Sequence, residues 1–324
     1  MSAALLYPFI IVAGALQALG NSMNAQLRGQ LVNPFLAASV SFLPIVFVFA
    51  TLFLVMPTPL PGLDTLGRMP WYAPLGGVAG AVAVFGGLAF VDKVGAGPFN
   101  GLTLTANILT SLAMDSLGLF GLPGGGFKPM PWLGGLLMAV GVTFIARVTP
   151  GQDASREDAS REGASGDGAS QETGHGLNPR LLYPFIVVAG ALQAVGVVWN
   201  AQLRGALVNP WLAALVSFLP VVFVFVLVFL LRPKPLPRRT DLEGVRWWMP
   251  LAGLTGAVAV FAGLLFVDKV GAGAFNGLLI TANLLTSVAL DHFGWVGMKR
   301  VRAGASRLGG AALMVAGIVL ISLF

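Results

Sequence analysis

The sequence predicts an all-α integral membrane protein, with ten transmembrane helices in two inverted five-helix repeats. Three observations carry that prediction. First, 56% of the 324 residues are hydrophobic and only 10% are charged, against roughly 25% charged in soluble domains. The apolar residues gather in runs whose length matches the roughly 17–25 residues that cross a hydrocarbon core of ~30 Å. Second, a shift of 176 residues lays the chain on itself without a gap. LLYPFIIVAGALQALGNSMNAQLRGQLVNP at 5–34 returns as LLYPFIVVAGALQAVGVVWNAQLRGALVNP at 181–210, identical at 24 of 30 positions. Third, each copy holds five apolar runs. An odd number of crossings makes the second copy start from the opposite side, which inverts it relative to the first.

The elements follow in order. The first run, 5–28, lacks the basic start and small-residue cleavage site of a signal peptide, so it reads as a retained span. The second, 34–56, has Pro44 inside it, where a kink is expected, and is ended by Pro57, Pro59 and Pro61. The third, 71–91, follows Pro70, and Gly76, Gly80 and Gly87 suit close helix packing. The fourth and fifth span 96–115 and 130–148. Residues 149–179 are polar, Gly/Ser-rich and of mixed charge, as expected of a linker outside the bilayer. The second copy places helices at 181–204, 210–231, 247–267, 272–291 and 306–324, with Pro220 matching Pro44, Pro233, Pro235 and Pro237 closing the seventh helix, and Pro250 opening the eighth. Trp71, Tyr72, Trp132, Trp247 and Trp248 are expected as interface anchors. The chain thus divides into a first repeat at 1–148, the linker, and a second repeat at 180–324. Its 43 Gly and 21 Pro are tolerable in membrane helices, where neighbours repair broken backbone bonds.

The net charge of +6 resides mainly in loops and suits anionic headgroups rather than nucleic acid. The absence of Cys excludes disulfides and thiolate metal sites. Alternating the ten spans puts Arg68, Lys128, Arg204 and Lys269 on one side and the other fifteen of the 19 basic residues on the opposite side. The positive-inside rule makes that second side cytoplasmic and places both termini outside.

The polar residues inside the apolar runs are the functional candidates. Gly14, Gln17, Asn21, Asn24 and Arg28 recur at intervals of three and four, so they share one face of the first helix. Their counterparts are Gly190, Gln193, Val197, Asn200 and Arg204. Such a stripe belongs in the bundle interior or along a watery cavity. Two readings stay open: the amides bond across helices as glue and the arginines snorkel to headgroups, or they line a pathway whose ends the arginines guard. A second stripe holds Asn100, Thr103, Asn107 and Thr110, matched by Asn276, Leu279, Asn283 and Thr286. No acid lies centrally in a run. Asp92 and Asp268, beside Lys93 and Lys269, suit local capping or salt bridges, and Asp115 and Asp291 close the fourth and ninth helices; all six are candidates for coupling or gating. The GAGPFNG and GAGAFNG pieces are not dinucleotide fingerprints, no His/Asp cluster has metal-ligand spacing, and no nucleophile constellation is present. Neither catalysis nor a cofactor is expected.

The repeated LQ…NAQLRG…NP, the glycine-rich third helix, the DHFGW piece at 291–295 and the terminal LGGAALMVAG resemble the YdcZ-type family of the drug/metabolite transporter superfamily. The resemblance covers both halves and leaves out the linker. It implies ten transmembrane helices, a bacterial inner membrane and movement of small molecules, in a fused chain where single-unit relatives would have to pair. It also implies cytoplasmic termini, against the charge count. Small multidrug exporters of that superfamily carry an embedded glutamate in the first helix, where this chain has Gln17. The expectation is a secondary transporter for a small polar metabolite, its partners being that solute and membrane lipids. A homodimer is left open. The rivals are a passive channel and a non-transporting scaffold that binds through its basic loops.

Overall fold

The computed structural model describes residues 3–56, 58–146, 182–231, 236–298 and 300–324. The linker expected at 149–179 lies outside them, as do Pro57, Pro233 and Pro235. Ten long helices are present among the described residues: α1 Tyr7–Leu31, α2 Pro34–Val55, α3 Gly76–Val94, α4 Ala96–Leu117, α5 Pro129–Ala146, α6 Tyr183–Leu207, α7 Pro210–Leu231, α8 Ala252–Val270, α9 Ala272–Phe293 and α10 Ala305–Leu323. Short helical turns at Leu63–Gly67 and Arg239–Glu243 join α2 to α3 and α7 to α8.

Nine of these helices are long and apolar enough to cross a membrane by length and composition. The exception is α4, whose Asn100, Thr103, Thr105, Asn107, Thr110 and Ser111 lower its hydropathy although the helix forms over the expected span. Large apolar side chains stand exposed along the outer faces, among them Phe9 and Val12 on α1, Phe47 and Leu54 on α2, and Phe223 and Leu230 on α7. In water such a surface would be an aggregation hazard; in a bilayer it is the lipid contact.

Local chemistry sets several boundaries. Asn33 is fully buried before α2 and its Oδ1 accepts from the backbone N–H groups of Phe35 and Leu36, an N-cap that tolerates Pro34 as the first helical residue. Asn209 does the same for Trp211 and Leu212 at α7. The third and eighth helices start later than expected, because the Pro-containing turns Ala73–Leu75 and Met249–Leu251 are 3₁₀ helix. They also run further, so Lys93 and Lys269 sit in the last helical turns instead of in the following loops. Both helices break where Gly95 and Gly271 take φ of 86° and 85°, left-handed values that suit glycine.

Packing exchanges the two halves. α1 packs on α8 and α9, α6 packs on α3 and α4, α2 packs on α7, and α5 packs on α10. The contacts are reciprocal under the 176-residue shift. Phe42 meets Phe225 at 5.6 Å and Phe49 meets Phe218 at 5.7 Å between ring centroids. A methyl group at Gly141 would lie 2.6 Å from the Gly310 carbonyl oxygen, and one at Gly310 would lie 2.7 Å from that of Gly141. Gly134 and Gly317 face each other in the same way. The order of these contacts makes α5 antiparallel to α10, and α2 antiparallel to α7.

The bundle therefore has two ends. The even-numbered helices finish at one, the even end, where the Lys128 ammonium donates to the Phe324 carbonyl oxygen at 2.9 Å. The odd-numbered helices finish at the other, the odd end, where Gln26 of α1 reaches the turn after α9.

Candidate functional site

α1, α4, α6 and α9 carry the buried polar side chains, and the structure joins them across the bundle. The Asn283 Nδ2 donates to Gln17 Oε1 at 2.8 Å, linking α9 to α1. Its counterpart is the Asn107 Nδ2 donating to Gln193 Oε1 at 3.2 Å, linking α4 to α6. Glycines allow the approach: Gly14 lies against Leu279 and Ala282, and Gly190 lies against the Thr103 backbone. The Asn107 pair continues through the Ser111 hydroxyl, which donates to the Asn107 carbonyl at 2.8 Å and accepts from Asn276 Nδ2 at 2.9 Å. A chain of hydrogen bonds thus runs Asn276–Ser111–Asn107–Gln193 across α9, α4 and α6. Asn276 and Asn107 are buried to 2% and 3% exposure, so each needs the partner it has. No charged side chain is part of this network.

The remaining candidates are spread along the same helices. Asn200 is 4% exposed, packs over Gly76, and has its Oδ1 without a partner; Asn24 is half-buried. Asn21 is exposed rather than covered by neighbouring helices. Arg28 and Arg204 occupy the last turns of α1 and α6, hence opposite ends of the bundle, and both are half-buried. Asp268, Lys269 and Lys93 are exposed, the two ammonium groups lying 6.0 and 5.9 Å from the ring centres of Phe266 and Phe90. The Asp92 side chain lies outside the described residues. These groups stand apart from the amide network.

Asp115 and Asp291, which match in sequence, do different things. Asp115 accepts from the backbone N–H groups of Ala272 at 2.8 Å and Gly273 at 2.6 Å, capping the start of α9. The unpaired amides and the helix dipole offset part of the cost of burying a carboxylate there. Asp291 instead accepts from the Arg307 guanidinium at 3.1 Å. Arg307 is 2% exposed, and Pro131 stands at its matching position in the first half.

Gln26 and Gln202, in the middle of the two NAQLRG segments, lie off the polar stripes and are not legible as site residues in the sequence. Gln26 Nε2 donates to the Val296 carbonyl oxygen at 2.7 Å, and Gln202 Nε2 donates to that of Phe120. Phe120 and Val296 have φ of 52° and 58°, each within a turn flanked by glycines three residues apart. The repeated motif therefore clamps the strained turn that follows the other half's polar helix. Tyr72, at the even end of the bundle, is half-buried and packs on Trp199 and Phe120 at 5.3 and 5.5 Å.

Comparison with known proteins places this geometry. A family profile described as "Putative inner membrane exporter, YdcZ" matches residues 5–144 and again residues 181–320. Among solved structures, one described only as a crystal structure of a protein superposes with a TM-score of 0.67 at 18% identity, covering 99% of this chain and 96% of that chain. It shows a shared fold. No curated protein matches. The family consists of transporters rather than enzymes and of multi-pass proteins of the bacterial inner membrane. With both halves matched, this chain belongs to the YdcZ family of the drug/metabolite transporter superfamily.

Proposed function

We propose that the chain is a secondary transporter that moves a small polar metabolite across the inner membrane by alternating access. Ten membrane-spanning helices would form two inverted five-helix repeats, residues 1–148 and 180–324, joined by the polar linker at 149–179. Reciprocal contacts between antiparallel counterparts support this inversion. A pair of interlocked halves with the same sequence frame has two near-equivalent arrangements, which is what alternating access requires.

The observation that carries the reading is the reciprocal pair Gln17–Asn283 and Asn107–Gln193, placed in polar helices between the two halves. A solute with hydroxyl and amide groups can exchange with such bonds at little net cost, since each new bond replaces a like one. The network is built from amides and a hydroxyl, which favours an uncharged or zwitterionic polar solute over a cation. Asn24, Asn200, Arg28 and Arg204 would extend the path toward the two ends. Asp115 and Asp291 would couple or gate it, with Asp92, Lys93, Asp268 and Lys269 at the helix ends as further gating candidates. No coupling ion is assigned.

The test begins with a thermal-shift screen of amino acids, polyols and nucleosides on the purified protein, followed by uptake of each hit into proteoliposomes under an imposed proton or sodium gradient. A coupled carrier concentrates the solute, whereas a passive channel only equilibrates it. Replacing Gln17 and Gln193 together by Leu is expected to lower uptake at least tenfold while the protein still folds. Unchanged uptake by the folded variant removes the pathway assignment and leaves the amides as helix glue.

A further inference from the structure

The two ends of the bundle share a backbone frame but are filled differently. At the even end, Tyr72, Phe120 and Trp199 form a closed triangle of rings, with centroids 5.3 Å apart for Tyr72–Trp199, 5.5 Å for Tyr72–Phe120 and 5.8 Å for Phe120–Trp199. The counterparts of these residues at the odd end are Trp248, Val296 and Met23. There the structure holds a shallow cavity of about 390 Å³, wide open to the outside, lined by Met23, Arg246, Trp247, Trp248, Val296 and Gly297. The cavity is thus the image of the ring cluster under the repeat, with Trp199 replaced by Met23 and Phe120 by Val296.

The frame around both places is the same. Gln202 holds the Phe120 carbonyl as Gln26 holds that of Val296. Gly118 and Gly121 bracket one turn as Gly294 and Gly297 bracket the other, all with positive φ. The side chains differ at Trp199/Met23 and Phe120/Val296, where volume is lost at the odd end, and at Tyr72/Trp248 and Pro70/Arg246; a second asymmetry agrees with the loss of volume. At the even end, Asp115 ties down the start of α9, and residues 272–282 are buried without interruption. At the odd end, Arg307 engages Asp291, and the start of α4 leaves Pro98 and Asn100 exposed.

We infer that Tyr72, Phe120 and Trp199 are an aromatic gate that, with the Asp115 latch on α9, closes the even end at rest, while the cavity at Met23, Trp248 and Val296 is the resting mouth through which the solute reaches the amide network. The inference rests on the alternating-access reading and adds to it which end is shut and by what. The halves differ enough at the gate to bias one arrangement, yet share the frame that lets them exchange. On the positive-inside count, the mouth lies on the strongly basic side.

The chain has no Cys, so spin labels can be placed without removing any residue first. Leu119 and Gly205 are exposed at the even end, and Trp295 and Gly29 are their counterparts at the odd end. Double electron–electron resonance on a Leu119→Cys/Gly205→Cys pair and on a Trp295→Cys/Gly29→Cys pair reads the two ends separately. In Phe120→Val/Trp199→Met, which copies the open end onto the closed one, the even-end pair is expected to gain a longer population and the odd-end pair a shorter one. Unchanged distributions, or lengthening at both ends, would overturn the gate. Should that variant not fold, Val296→Phe/Met23→Trp fills the cavity and gives the odd end rings where the even end has them. The even-end pair is then expected to split into two populations, and a single unshifted one overturns the proposal. Uptake is scored separately: exchanging distances without solute movement keep the gate and remove the transport reading, whereas uptake with unmoved distances does the reverse.

Discussion

Replacing Asp115 tests how firmly the start of α9 is held. Its carboxylate accepts two backbone hydrogen bonds, from Ala272 at 2.8 Å and Gly273 at 2.6 Å, at a helix start where Gly271 offers no side-chain cap. Hydrogen bonds to a charged group contribute about 1.5–3 kcal/mol each. A charge at a helix N-terminus adds about 0.3–1 kcal/mol when exposed and up to ~2 kcal/mol when partly buried. These contributions overlap, since the same N–H groups produce both. Asp115→Ala is therefore expected to destabilise the fold by about 3–4 kcal/mol, allowing for that overlap. Asp115→Asn keeps one neutral acceptor, worth about 1 kcal/mol, so it should lose only about 2–3 kcal/mol. The assay is denaturation in mixed detergent micelles, followed by tryptophan fluorescence. The spin-label pair at Leu119 and Gly205 supplies a second readout, because releasing α9 should add a longer population at that end. The reasoning fails if Asn at 115 is as stable as the native chain, or if Asn and Ala are equally destabilising. In the first case the charge contributes nothing; in the second the hydrogen-bond geometry contributes nothing.

Two further outcomes follow from the same contacts. Asp291→Asn strands the buried Arg307 guanidinium; breaking a buried pair costs roughly 3–5 kcal/mol, reduced here to about 2–3 kcal/mol because the Asp291 side chain keeps 23% of its surface exposed. Asp291→Leu with Arg307→Met should recover most of that loss in the same denaturation assay, and a double variant weaker than Asp291→Asn would refute the account. Gly141→Leu forces a side chain toward the Gly310 carbonyl, 2.6 Å from where even a Cβ would lie, so α5 and α10 must separate. Its thermal midpoint should fall well below that of Val140→Leu, which alters an exposed neighbour on the same helix. Equal midpoints would show that close backbone approach is not needed there.

Most of the fold is legible in the sequence because its dominant constraint is local. A run of apolar residues long enough to cross a bilayer is visible without knowing what it packs against. The 176-residue shift adds a second constraint that needs no partner. α4 marks the limit: its helix forms as expected, yet its polar face fails a hydropathy test that the more apolar α9 passes, although Asn100, Asn107, Thr110 and Asp115 match Asn276, Asn283, Thr286 and Asp291. The stripes at Gln17 and Asn107 are legible as faces by their periodicity. Their pairing, Gln17 with Asn283 and Gln193 with Asn107, is not, since it depends on which helices the two halves exchange. Gln26 and Gln202 escape because their partner is a backbone carbonyl far along the chain. The signal that could have found it is the glycine spacing in GLFG and GWVG, which requires a left-handed turn between. Tyr72 reads as an interface anchor by composition, and its packing on Trp199 and Phe120 is not legible because those rings come from distant parts of the chain. Sequence alone does not distinguish Asp115 from Asp291; the arginine that captures Asp291 sits 16 residues further on, where Pro131 replaces it in the other half.

The differences between the halves matter where they fall at the two ends of the bundle. If the two were identical, the bundle and its exchanged image would have equal energy, and each arrangement would be half populated. Each ring pair in the Tyr72, Phe120 and Trp199 cluster contributes about 0.5–1.5 kcal/mol beyond the area it buries. Three such pairs, lost when that end opens and only weakly replaced by Met23 and Val296, bias the equilibrium by a few kcal/mol. Moving a two-state protein from 1:99 to 99:1 takes about 5.5 kcal/mol of differential binding. A solute gripped by the amide network more tightly in the exchanged arrangement can supply a bias of that order. A deeper gate, with aromatic residues at both ends and both latches set, would demand more than a few hydrogen bonds to a small molecule can deliver. Met23 and Val296 opposite Trp199 and Phe120 fit the proposed cycle, in which one end rests closed and is opened by the cargo.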